Sequence, residues 1–147
     1  MRIKKIAPVT PANGNIENSY GTSQENTYSQ EYINKFTDYS TTEQVIGKWI
    51  DGKPLYRKVI DFGALPNTSE KNANHNIANL DMFTSINAIS YNPTLNTFFY
   101  IPLASTSSNS ANIYILATPD QVRIGTGSDR SGFTKTYIIL EYTKTTD

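Results

Sequence analysis

The dipeptide Asp51-Gly52 constrains this chain most, because it stands between two runs rich in apolar and aromatic residues, 44–50 and 53–60. A two-residue connection of this composition favours a type I′ turn, in which both central residues take positive φ. Such a turn matches the twist of the strands that it joins, so the segment predicts an antiparallel hairpin. Trp49 falls just before the turn, near Leu55 across it, and is expected to anchor the core rather than serve as a ligand platform.

The same alternation of strand-like runs and turn residues continues to the end of the chain. Further strands are expected at 82–91, 97–103, 113–118, 121–126 and 137–143. Between them lie Asn92-Pro93, a Ser-rich loop at 105–110, Pro119-Asp120, and the Gly-rich loop around Asp129-Arg130. Proline at 119 presets φ for the first central position of a turn. Residues 66–78 read as a polar loop, in which Asn67-Thr68-Ser69 has the form of a glycosylation acceptor but little meaning without a leader. About seven closely spaced strands indicate a sandwich of antiparallel sheets. Composition agrees: 10 Tyr and 6 Phe suit pleated, half-buried strands, and a hydrophobic content of 37% leaves a polar exterior.

Residues 1–26 show no apolar period and carry Pro8, Pro11, Gly14 and Gly21 among Asn, Ser and Thr. Such a segment cannot build its own core and is expected to be an extended arm. It is either a plain tail or a docking segment, with Ile3 and Ile6 as apolar anchors beside Arg2, Lys4 and Lys5. Residues 27–40 are expected to form a short helix and linker. Thr27 and Gln30 have capping-box spacing, and Tyr28, Tyr32, Ile33 and Phe36 share one helical stripe. A helix this short is marginal alone, so its stripe must pack on the following domain or on copies of itself. Residues 41–147 then form the β domain.

Several functions are disfavoured by what the chain contains. Thirteen Lys plus Arg balance 13 Asp plus Glu, so no basic field exists to hold nucleic acid, and self-association meets little repulsion. No Cys means no disulfide framework, thiolate metal site or thiol nucleophile. No apolar run approaches the roughly 18 residues that span a bilayer. The basic start lacks a following apolar stretch, so synthesis in the cytoplasm without a cleaved leader is expected.

The single His75 lacks spaced partners for a triad or metal site and is expected to be structural, bonded to backbone. Glycoside hydrolysis needs two carboxyl groups across roughly 5–10 Å, and no pair stands out among the acids. Gly125-Thr126-Gly127 lacks the Lys of a phosphate loop and reads as a strand end. No catalytic, cofactor or metal residues are therefore assigned. Exposed Tyr, Asn, Asp and Arg suit carbohydrate recognition.

The segment Ile46-Gly47-Lys48-Trp49-Ile50-Asp51-Gly52-Lys53-Pro54-Leu55-Tyr56-Arg57-Lys58 resembles the opening of C-terminal domains in bacteriophage fibre and related virion proteins. His75-Asn76-Ile77, Gly127-Ser128-Asp129-Arg130-Ser131 and the closing Glu141-Tyr142-Thr143-Lys144-Thr145-Thr146-Asp147 are similar to later features of those domains. The segment from Asn26 to Asn34 is similar to a stretch that often precedes them, so the likeness covers about 26–147.

The resemblance implies a homotrimeric, jelly-roll-like β-sandwich tip on a virion, without enzymatic activity. Residues Arg2, Ile3, Lys4, Lys5 and Ile6 would dock on other virion proteins, and Tyr28, Tyr32, Ile33 and Phe36 would meet at the trimer axis. The chain is short for a tail fibre, which extends the expectation to a stubby fibre or a decoration on head or tail. A host-surface glycan is the expected external partner, with a pure joining protein of the particle as the alternative and a depolymerase behind both.

Overall fold

The computed structural model describes residues 38–146. The arm at 1–26, with Arg2, Ile3, Lys4, Lys5 and Ile6, lies outside the described residues. So do Tyr28, Tyr32, Ile33 and Phe36 of the expected helix, and the terminal Asp147.

Alternation in the closing run organises the fold. In Lys135–Lys144, residues Thr136, Ile138, Leu140 and Tyr142 are buried, while the alternate residues Lys135 and Tyr137 are exposed. One face of the strand therefore belongs to the core and the other does not. This is strand β8, the last of eight: β1 Gln44–Lys48, β2 Pro54–Asp61, β3 Glu70–Asn74, β4 Leu80–Asn92, β5 Thr97–Ile101, β6 Ile113–Ala117, β7 Gln121–Thr126 and β8. They form two antiparallel sheets, of order β1-β2-β8-β4-β5 and β3-β7-β6.

One apolar cluster joins the two sheets. Ile60, Ala88, Ile101, Ile138, Leu140 and Tyr142 come from the five-stranded sheet, and Ile113, Val122 and Ile124 from the three-stranded one. Phe62, Leu65, Ile77 and Phe133 close it from the connecting segments. Each sheet thus buries one face against the other.

The chain changes sheets four times, and two of those crossings are from β2 to β3 and from β7 to β8. These two crossings run side by side: Phe62 N donates to Thr136 O (2.9 Å), Leu65 N to Phe133 O (2.9 Å), and Arg130 N to Pro66 O (3.2 Å). The pair β3·β7 therefore lies nested within the pair β2·β8. Backbone bonding around the corner satisfies donors that a bare crossing would leave unpaired.

Two expectations need correcting. Residues 66–78 are not all loop, because Glu70–Asn74 forms β3, paired with β7 from Glu70↔Gly125 to Asn74↔Gln121. Its sequence, Glu-Lys-Asn-Ala-Asn, offers only Ala73 and the Lys71 stem to the interior. The strand is held by its ladder and by Lys71 Nζ, which donates to Phe62 O (2.6 Å) and Ala64 O (2.9 Å). An edge strand with one wet face carries no apolar period to read.

The Asp51-Gly52 hairpin is present, but its turn is not type I′. Only Gly52 has positive φ (89°), Gly52 N donates to Trp49 O (2.9 Å), and Trp49 N donates to Lys53 O (2.8 Å). This is a three-residue loop with glycine in the left-handed position, the next commonest hairpin form. The change sets Leu55 opposite Gly47 and leaves Trp49 at the loop, half-buried rather than in the core.

Candidate functional site

The outward face of the five-stranded sheet carries an apolar surface that spans its strands. Cross-strand register places Asp61, Tyr137, Ile89 and Tyr100 in one row over β2, β8, β4 and β5. The row on one side holds Val59, Ile139 and Asn87, and the row on the other Lys135, Tyr91 and Phe98. Tyr91 and Phe98 stack with ring centroids 4.5 Å apart. Tyr39 and Thr41 approach the same face and, with Val59, Tyr137 and Ile139, line a shallow apolar pocket of about 330 Å³.

The sequence makes this face unavoidable at β5. In Thr97-Phe98-Phe99-Tyr100-Ile101 both alternating sets are apolar, so whichever faces the core, large side chains face water. Phe99 and Ile101 point inward, Phe99 stacking on Phe133 at 4.3 Å. Phe98 and Tyr100 are left 64% and 61% exposed; Tyr39 is 63%, Tyr137 47% and Ile89 44% exposed. At about 150–250 Å² per aromatic side chain, the four rings leave roughly 500 Å² in water, and Ile89 adds to it. That lies at the upper end for the largest apolar patch of a monomer, and patches of that size are often functional. Polar groups rim it: Arg57 donates to Glu141 through Nε (3.0 Å) and Nη2 (2.8 Å), and its guanidinium lies 4.6 Å from the Tyr39 ring centre.

The three-stranded sheet presents a different outer face. Tyr114, Gly125 and Glu70 form one row across β6, β7 and β3, followed by Leu116, Arg123 and Asn72. Tyr114 donates its phenol to Glu70, which raises the phenol above its ordinary pKa. Arg123 bonds both Glu70 (3.1 Å) and Asn72 (3.0 Å). Gly125 leaves room for the Tyr114 ring to lie across it, since a Cβ there would stand 2.2 Å from the ring and push it aside.

His75 is a structural residue, as expected from its context. It is 1% exposed; Nδ1 accepts from Ile77 N (3.1 Å), which assigns the proton to Nε2, and Nε2 donates to Thr118 O (3.1 Å). A polar cleft of about 360 Å³ opens above it, lined by Asn74, Asn76, Pro119, Asp120 and Gln121. Three other carboxylates are held in ion pairs, Glu43 with Lys144, Asp81 with Lys53 and Glu141 with Arg57. Lys53 first, then Thr143, hold Asp81 below the ordinary carboxylate range, and the Ser131 N–H does the same for Asp129 in its loop. Among the described residues, no three His, Asp or Glu gather as a metal site requires, and no helix is long and apolar enough to cross a membrane.

No family model, curated protein or solved structure matches the chain. Residues and geometry therefore carry the functional reading. Neither outer face is legible in the sequence alone, the first because both alternating sets of β5 are apolar, the second because β3 lies in a polar run.

Proposed function

We propose that this chain is a structural protein of a bacteriophage particle, a short trimeric fibre or a decoration of head or tail. Residues 1–26 attach it, and a jelly-roll-like β-sandwich faces the host surface. The nested pairs β2·β8 and β3·β7 support the sandwich reading, since a jelly roll wraps its strands in that way.

The observation that carries the proposal is the aromatic face of the five-stranded sheet. One partner's share of a standard interface is about 800 Å², and an apolar centre of roughly 500 Å² with a polar rim comes close to that. Tyr and Phe dominate it, the residue types enriched where proteins meet. Its occupant is a second copy of the chain. A face turned toward a threefold axis is covered by its neighbours, and the zero net charge removes the repulsion that would oppose assembly. The motif resemblance adds the virion setting.

Light scattering on the purified chain at micromolar concentration is expected to give three times the 16.4 kDa chain mass. A monomer mass would contradict the proposal.

A further inference from the structure

The two outer faces of the domain differ in kind. One is apolar and fits a protein surface. The other, on β3, β7 and β6, sets a single aromatic ring among planar hydrogen-bonding groups. Tyr114 lies across Gly125 and reaches Glu70, Arg123 bridges Glu70 and Asn72, and Asn74 and Gln121 continue the row into the cleft above His75.

We propose that this face is a saccharide-binding site, with Tyr114 as the stacking platform and Glu70, Asn72 and Arg123 as the groups that read hydroxyls. The inference rests on the reading of the chain as a host-facing virion module and names the class of ligand that it meets.

Four physical points lead there. A sugar ring offers an apolar C–H face and a rim of hydroxyls that both donate and accept. The Tyr114 ring, 39% exposed, suits the first. A carboxylate that only accepts, a guanidinium that only donates and an amide that does both suit the second. The groups are also held in place before any ligand arrives, because Glu70 engages both Arg123 and the Tyr114 hydroxyl. Preorganisation of this kind lowers the ordering cost of binding.

Charge points the same way. Glu70 and Arg123 neutralise each other, so the site favours neither a phosphate nor a cation. Length is the fourth point. Residues two apart on a strand are about 7 Å apart, so the rows from Tyr114 to Gln121 span roughly 14 Å before the cleft adds more. That is room for a short oligosaccharide rather than one sugar.

The test uses the full chain on an array of bacterial surface saccharides, including lipopolysaccharide O-chain and capsular fragments. The wild type is expected to bind at least one of them. Tyr114→Ala and Asn72→Ala should each weaken that binding by about tenfold or more, the factor that corresponds to 1.4 kcal/mol. Tyr114→Phe, which keeps the ring, should bind within a few-fold of wild type. Leu95→Ser, at an exposed turn residue, should bind as wild type does.

Asn72 is exposed, so its variant should melt as the wild type does and stands even where Tyr114→Ala fails to fold. A wild type that binds no saccharide, or one whose binding is unchanged in Asn72→Ala and in a folded Tyr114→Ala, overturns the inference. Wild-type protein that trimerises and loads onto particles but binds no saccharide sinks this inference alone. A chain that never assembles sinks the functional reading instead.

Discussion

Replacing Phe98 and Tyr100 together by Ser is expected to turn the proposed trimer into a monomer without unfolding the domain. Both side chains stand on the outward side of the edge strand β5 and are more than half exposed. The core contacts of β5 belong instead to Phe99 and Ile101, which the double substitution leaves in place. Within one chain the main loss is the Tyr91–Phe98 stack, a contribution of about 0.5–1.5 kcal/mol. Between chains, each ring buried on association contributes about 1.5–3 kcal/mol. Losing two weakens assembly by on the order of 10²–10⁴-fold. Light scattering beside a thermal melt separates the effects, and a folded variant that keeps the wild-type mass would place the contact between copies elsewhere.

Tyr142→Ala is expected to cost about 3–5 kcal/mol, the range for emptying a buried aromatic site. Few substitutions should do more, because the total stability of a domain is only about 5–15 kcal/mol. Tyr142 is fully buried near the end of the central strand β8. It stacks on Tyr56 at 5.8 Å and meets Phe83 edge-on at 6.2 Å. Its hydroxyl donates to Glu43 Oε2 (2.6 Å), and burial, reinforced by that carboxylate, pushes the phenol well above its ordinary pKa. The substitution therefore opens a cavity and strips a partner from a half-buried carboxylate that also holds Lys144. Tyr142→Phe removes only the hydroxyl and should cost about 1–2 kcal/mol. Urea titration gives both values, and equal costs would mean that ring packing matters little at this site.

Parts of this fold were legible in the residues, for identifiable reasons. Run 121–126 alternates polar with apolar residues and run 137–143 opens on four apolar residues, and they became β7 and the middle of β8. The turn at Asn92-Pro93 was also legible. There Asn92 Oδ1 accepts from Thr94 N (3.0 Å) and Leu95 N (3.1 Å), and Asn96 takes the left-handed conformation that asparagine tolerates.

Other parts depended on partners that lie far along the chain. Strand β3 exists because β7 supplies its ladder, and Asn72 says nothing of Arg123, 51 residues away. Trp49 was misplaced because two loops of different length fit around Asp51-Gly52, and the longer one shifts the register. The outward side chains of β5 were visible in the sequence, but their meaning depended on which set the core would take.

The most direct test of the virion reading follows the chain onto the particle. Bacteriophage particles lacking the protein are supplied with full-length chain, with chain truncated before residue 27, or with Ile3 and Ile6 both changed to Asp. The amount that co-sediments is then measured beside a melting curve for each. In the proposal the partner of residues 1–26 is the particle, whose surface offsets the cost of ordering a segment that has no core pattern of its own. Full-length chain should load, and both variants should melt nearly as it does yet fail to load. Truncated chain that loads at the wild-type level, or full-length chain that never loads, would contradict the proposal.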